Sequence, residues 1–208
     1  ANEADLGALA EFRRGAGRDS RHMVFVSGEV GVGIGIIHEG GPMLGLAGYA
    51  GEAGHMMVNP HGRPCRCGAT GCWETEVGEE ALLERAGMTK WTGESPISEI
   101  GLRADEGDPA IHAALWEIGR WLGIGIGNLI NILNPEVVVV GGFYHALYPA
   151  MAPAIEVGAK DVTLDAPWEA TSIRRSELGD DVLLLGAAEL VLAEVISDPA
   201  AHIADARS

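Results

Sequence analysis

The sequence predicts a mixed α/β domain. Three observations carry that reading: short glycine-bounded apolar runs come early, a long apolar helical stretch fills the middle, and four consecutive valines sit between two helical segments. Residues 3–14 place Leu6, Leu9 and Ala10 at helical spacing and end in Arg13 and Arg14 before Gly15, so they read as a helix that starts from its N-cap in "ANEAD". "RHMVFVSG", residues 21–28, is an apolar run closing on Gly28, a strand. Residues 30–45, "VGVGIGIIHEGGPMLG", alternate glycine with β-branched residues and turn at Glu39-Gly40-Gly41, which predicts a hairpin. The glycine-rich segment 45–55 and the cysteine stretch after it carry no obvious regular structure.

Residues 78–87 read as a short helix, 89–98 as a loop, and 97–109 as a second short helix with a polar exit. Asp108-Pro109 opens a long helix that Asn134-Pro135 halts, and its apolar residues leave few faces for water, so it is central. "EVVVVGG", residues 136–142, is a strand buried on both faces, as in a parallel sheet. Residues 147–160 form a helix broken by prolines, 171–178 a strand, 183–196 a final helix and 197–208 a polar tail.

Composition narrows the function. The chain has 208 residues, 47% of them apolar, which is enough for a sizeable core. Thirty acids against fourteen bases give a net charge of −16, which repels a phosphate backbone and makes these residues alone a poor candidate for nucleic-acid binding. No apolar run approaches the roughly 18 residues of a membrane span, and no secretory signal is visible. All three cysteines crowd into residues 65–72, unlike a disulfide framework, so a reducing cytoplasm is expected. The opening on a helix with no lead-in strand leads us to expect a fragment.

The chemistry concentrates in residues 51–76, "GEAGHMMVNPHGRPCRCGATGCWETE". Cys65, Cys67 and Cys72 offer three thiolates in one tight loop, with Gly68 and Gly71 supplying the left-handed turns that gather the sulfurs. Structural zinc takes four tetrahedral ligands, and three cysteines with one histidine are an accepted set. His55 is the preferred fourth ligand and His61 the competitor; free buried cysteines are the simpler alternative. No open coordination position is required, so the metal reads as structural. Glu52 and Glu74 flank the group. They are either solvated loop charges or acceptors for the hydroxyls of a sugar-like ligand.

"GYAGEAGHMMVNPHGRPCRCGATGCWE" resembles the signature of the ROK family of bacterial sugar-responsive repressors and sugar kinases, a G-E-x-G-H element followed by C-x-C-G-x-x-G-C-x-E. Gly51, Glu52, Gly54, His55, Cys65, Cys67, Gly68, Gly71, Cys72 and Glu74 match it. "NILNPEVVVVGG" resembles the segment before the nucleotide-side glycines, "NEADLGALAE" the start of the sugar-site helix, and "LLGAAELVLAE" the C-terminal helix. The resemblance implies an actin-like (RNase H-like) ATPase fold with sugar held between two lobes. It makes Asn2, Glu3, Glu52, His55 and Glu74 sugar contacts, with His55 also a ligand of structural zinc beside Cys65, Cys67 and Cys72. Residues 1–185 then correspond to the large C-terminal lobe with its zinc loop at 51–76. The helix and tail, 186–208, pack toward a first lobe absent from these residues.

Two departures from the kinase pattern bear on function. Kinase members carry Asn-Asp at the helix start, the aspartate acting as base; here the pair is Asn2-Glu3, one methylene longer, and a small misplacement of reacting groups costs about 100-fold in rate. Their phosphate turn resembles G-T-G-x-G. Here residues 28–33 read "GEVGVG", so the nucleotide side (Gly28, Glu29, Gly31, Gly33, Gly141, Gly142) carries a carboxylate where an ATP phosphate would lie. The expected function is therefore the sugar-sensing domain of a repressor, most like an actinobacterial-type ROK regulator. It would touch DNA only through a missing N-terminal domain. The alternative is an ATP- and Mg-dependent glucokinase-like enzyme with Glu3 as catalytic base. The family commonly assembles as dimers or tetramers. The long helix with Trp73, Trp116 and Trp121 could serve such an interface, although core packing is the simpler reading.

Overall fold

The computed structural model of the chain describes residues 2–93 and 95–197; of the expected tail at 197–208, Ser197 closes the last helix and 198–208 lie outside the described residues. The helices are α1 (Glu3–Arg14), α2 (Trp73–Val77), α3 (Glu79–Arg85), α4 (Pro96–Asp105), α5 (Pro109–Leu133), α6 (Phe143–Lys160), α7 (Asp165–Ala170) and α8 (Val182–Ser197). The strands are β1 (Met23–Gly28), β2 (Val32–His38), β3 (Gly41–Pro42), β4 (Val137–Gly142) and β5 (Ser172–Arg175), in sheet order β3-β2-β1-β4-β5. β1 pairs antiparallel with β2 and parallel with β4, which pairs parallel with β5. The mixed α/β expectation holds. No helix among the described residues is long and apolar enough to cross a membrane.

The sheet is buried on both sides because successive side chains alternate faces. Met23, Phe25, Val137 and Val139 point to a layer that includes Ala8 of α1 and Val182 of α8. Val24, Val26, Val138 and Val140 point to the larger core, built with Trp73, Leu115, Ile118, Leu122, Tyr144 and Ile155. The valine strand is therefore the two-faced buried strand that its sequence predicts. α5 and α6 press backbone to backbone: a Cβ on Gly123 would meet Ile155 O at 2.2 Å, and one on Gly127 would meet Ala159 O at 2.6 Å.

Some boundaries differ from the sequence reading. α6 begins at Phe143 and runs unbroken through Pro149 and Pro153. Proline at 149 removes the amide that would bond the His145 carbonyl; Arg175 Nε donates to that carbonyl instead, at 2.8 Å, so the turn keeps its partner. The Glu39–Gly40 turn of the β2–β3 hairpin is tighter than expected, with His38 opposite Gly41 and φ positive at both turn residues. β5 covers only 172–175 of the expected 171–178, because the chain turns at Ser176 to bond Glu11. Glu11 is fully buried and accepts from Ala16 N at 2.7 Å, Leu178 N at 3.1 Å and the Ser176 hydroxyl. α8 lies on α1, where a Cβ on Gly186 would meet Leu6 O at 2.1 Å; Leu184, Val191 and Ile196 of α8 are exposed.

Candidate functional site

The site forms where α1, the β1–β2 turn, the segment after β3 and the cysteine loop meet. Asn2 caps α1: its Oδ1 accepts from Asp5 N at 2.8 Å, and Asp5 Oδ2 accepts from Asn2 N at 3.0 Å. With the amide oxygen committed to the helix, the amide NH2 is what Asn2 has left to offer a ligand. Glu3, the first helical residue, follows and is exposed.

The segment expected to be irregular holds two short 3-10 turns, Leu46–Gly48 and Glu52–His55, and the second builds the site. Gly51 enters it at φ 93°, and a Cβ there would meet Ile34 O at 2.3 Å. Gly54 is equally constrained, since its Cβ would meet Val32 O at 2.5 Å. The two glycines let the turn lie on β2, and so fix where Glu52 and His55 emerge.

The cysteine loop is a small hairpin. Met57 bridges Cys72 and Pro64 bridges Thr70, while Cys65 N donates to Ala69 O at 2.8 Å. Gly68 and Gly71 take φ 95° and 75°, the left-handed conformations the sequence demanded there, and Gly71 lies so close to Asn59 that a Cβ would overlap its carbonyl. The loop ends on Trp73, fully buried, with its Nε1 donating to Trp121 O at 3.0 Å and its ring against Gly125. Trp73 is thus core. Trp116 is 49% exposed and Trp121 is partly buried.

The loop gathers His55, Cys65, Cys67 and Cys72, whose ligand atoms all lie within 4.8 Å of one another. Cys67 Sγ is 3.6 Å from Cys72 Sγ, and Cys65 Sγ is 3.6 Å from His55 Nδ1. Ligands about 2.0–2.3 Å from a tetrahedral zinc sit roughly 3.5–3.8 Å apart, so the donor set fits that ion in type and spacing. His61 belongs elsewhere, to a shallow cleft with Asn59, Arg63 and Glu84. The thiols differ. The hydrogen bond to the Glu74 carboxylate, 3.0 Å away, pushes Cys65 up to about 12. Desolvation raises Cys72, and the Ala69 backbone N–H lowers exposed Cys67. A bound cation would remove these differences by deprotonating every thiol it touched.

Glu74, in the first turn of α2, joins the cysteines to the cleft. Its Oε1 is 3.5 Å from His55 Nδ1, while its Oε2 faces Gly31, where a Cβ would stand 2.7 Å away. The cleft itself, about 280 Å³, is lined by Asn2, Glu3, Ser27, Glu29, Gly31, Gly33, Glu52, His55 and Glu74 among others. The five residues singled out as sugar contacts thus share one wall system, and its size suits a small ligand.

The nucleotide-side residues divide. Gly31 and Gly33 line this cleft. Gly28 pairs with Gly142 across β1 and β4, and Cβ atoms at Gly28 and Gly141 would strike the rings of Tyr144 and Phe25, so both serve packing. Glu29 lines two cavities: the cleft, and a neighbouring space of about 400 Å³ bounded by Gly142, Phe143, His145, Ser98 and Asp180. Its carboxyl is raised, first by desolvation, with the charges of Glu3 and Glu79 adding to that; the Ser27 hydroxyl, 3.3 Å away, opposes it. Sequence reasoning placed Glu29 only on the nucleotide side. Its second exposure to the cleft follows from the sharp Gly28–Val32 turn.

The ROK family profile matches residues 1–194. The chain belongs to the ROK family. It is 31% identical to a xylose repressor of Caldicellulosiruptor bescii over 95% of this chain and 53% of the repressor. It is 32% identical to a glucokinase of Halalkalibacterium halodurans over 91% of this chain and 62% of the enzyme. This ROK chain therefore spans about half to three-fifths of the length of these relatives. Among solved structures, a ROK family transcriptional regulator, a homolog of the E. coli MLC protein, superposes with TM-score 0.82 at 30% identity, covering 91% of this chain and 50% of the regulator. A ROK glucokinase from Streptomyces griseus, in complex with glucose and AMPPNP, superposes with TM-score 0.78 at 26% identity over 91% of this chain and 66% of the enzyme. The ROK fold is shared by regulators and sugar kinases alike.

Proposed function

We propose that this ROK chain is the sugar-sensing part of a transcriptional repressor, holding a hexose or related sugar in the cleft beside the cysteine loop. Glu52, Glu74 and Glu3 would accept hydroxyl protons, and the Asn2 amide would donate to a ring or hydroxyl oxygen. Zinc bound by Cys65, Cys67, Cys72 and His55 Nδ1 would be structural, tying the loop together. It would also fix the tautomer of His55, leaving Nε2 for the sugar. The repressor output needs only that sugar bind one lobe arrangement better than another. DNA contact would come from residues outside these 208, consistent with the net charge of −16. The exposed α8 residues would meet a first lobe, and the assembly would be a homodimer or tetramer in the cytoplasm.

Glu29 carries the choice of repressor over kinase. Its carboxylate lines the sugar cleft and the adjoining space together, where a nucleotide's terminal phosphate would have to approach a sugar hydroxyl. A nucleotide phosphate would fit that wall poorly. The kinase reading is favoured by the 32% identity to a glucokinase and by Glu3 lining the cleft as a possible base.

Thermal stabilisation of the full-length protein by sugars tests the site, with ATP-dependent phosphorylation assayed in parallel. We expect stabilisation in the wild type, its loss in both His55→Ala and Glu74→Ala, and little phosphoryl transfer. Stabilisation surviving in both variants refutes the site. Brisk phosphorylation selects the kinase.

A further inference from the structure

We infer that the chain carries a second site for a zinc-class divalent cation, formed by His22, His38 and Glu39 at the far end of the β1–β2 ladder. Met23 pairs with Ile37 in that ladder, so one further step of the register sets His22 opposite His38. The two rings tilt by 56° with centroids 4.8 Å apart, and their Nδ1 atoms stand 3.2 Å from each other. Two nitrogens held about 2.0–2.1 Å from one tetrahedral ion are roughly 3.3 Å apart, so the pair already has the separation that an ion between them requires. Glu39 brings the third donor. One ligand atom from each of the three residues lies within 4.8 Å of the others; before an ion binds, Glu39 Oε1 rests 3.4 Å from His22 Nε2, the nitrogen not paired with His38.

Two neutral imidazoles facing through Nδ1 share one N–H···N hydrogen bond, and two imidazoliums there would repel. A cation between them would replace that one hydrogen bond with a bond to each Nδ1 lone pair, the protons moving to Nε2. The third donor also sits at an unusual backbone position. Glu39 takes φ 52° as the first residue of its two-residue turn, where glycine or asparagine is the low-cost choice. Arg21 pairs with the other carboxylate oxygen of Glu39 and neutralises part of its charge, so the site suits an ion held mainly by imidazole nitrogen. Imidazole favours zinc, nickel and copper over calcium or magnesium. Three protein donors leave a coordination position for water, unlike the closed cysteine set.

Six residues of strand, at about 3.3 Å each, separate His22 from Gly28 beside the sugar cleft. The two metal sites are therefore independent. The bound ion would clamp the β2–β3 turn to the entry of β1.

Zinc titration of the full chain, read by native mass spectrometry and calorimetry, tests this site. Cobalt substitution serves as a second readout, because thiolate ligation gives intense charge-transfer absorption and imidazole–carboxylate ligation gives only weak d–d bands. We expect two zinc ions per chain at micromolar free zinc. His22→Ala and His38→Ala should each lose one ion and the thiolate-free cobalt signal, and Cys65→Ser should leave that signal in place. Both histidine variants change side chains outside the buried core, and circular dichroism verifies their fold. A wild-type chain that binds no ion overturns the inference, as does one whose every bound ion is retained unchanged in both histidine variants. A single ion that disappears with His22→Ala supports this site while rejecting the cysteine one.

Discussion

The cysteine loop and the glycine wall of β1 and β4 are both dense in glycine, and they use it for opposite ends. In the loop, Gly68 and Gly71 adopt positive φ, so the backbone can turn three sulfurs and a histidine toward one point. In the wall, Gly28 and Gly141 have no left-handed φ; they are small because Tyr144 and Phe25 lie against them. The loop's glycines build a site, whereas the wall's glycines let aromatic rings fill the core. A motif read as phosphate-binding from its glycines can thus be packing in part. In this chain the chemistry at that turn falls to Glu29.

The largest effect that sharpens this contrast is expected at Trp73, the residue that fastens the loop to α5. Trp73→Ala removes a fully buried indole and its bond to Trp121, and should lower stability by about 3–5 kcal/mol in denaturant unfolding. Because Trp73 lies between Cys72 and Glu74, zinc retention should fall with it. Next is the wall. Gly28→Ala drives a methyl into the Tyr144 ring, whose hydroxyl is tied to Val77 O at 2.9 Å, so overpacking of about 1–3 kcal/mol is expected. Zinc content should be unchanged. A Gly28→Ala protein that loses zinc would show the two regions to be one unit. A smaller cost, about 1 kcal/mol, is expected for Asn2→Ala from the lost helix cap. A loss of sugar-induced stabilisation in that variant well beyond this amount would separate its ligand contact from its cap.

The contrast also marks what the sequence could reveal. The helices from Pro109 and from Glu3, the four-valine strand and the cysteine spacing were legible because each rests on local periodicity or on chemistry within a few residues. The 3-10 turn Glu52–His55 was not, since its shape comes from Gly51 and Gly54 lying on carbonyls of β2, a contact with no local pattern. Buried Glu11 was missed for a similar reason: its partners at 176–178 are far along the chain. The unbroken α6 was not legible either, since Arg175, which bonds the carbonyl that Pro149 leaves bare, lies 30 residues along the chain from it. The five residues expected around a sugar were identified through the family motif, and the composition of their wall, with Glu29 added, emerged only in three dimensions.

The smallest effect bears on that added residue. Glu29 has a carboxyl raised in the folded chain by desolvation and by neighbouring Glu3 and Glu79. The folded state therefore holds this proton more tightly than the unfolded state does. Ionising Glu29 as pH rises through its folded value costs stability, and at lower pH, where both states are protonated, nothing is lost. Glu29→Gln removes that cost. Its melting temperature should exceed the wild type's at neutral pH, and the difference should close as pH falls below the ordinary carboxylate range. The gain should be modest, because solvent reaches the side chain and screens it. A gain that persists unchanged into acid would mean that the side chain's shape, and not its charge, is what the turn resists. If the gain behaves as charge, the same variant is the one to assay for ATP-dependent phosphorylation. Removing the carboxylate between the two cavities takes away the repulsion proposed to keep nucleotide phosphate out, so a rise in phosphoryl transfer would tie the sensor reading to this one residue.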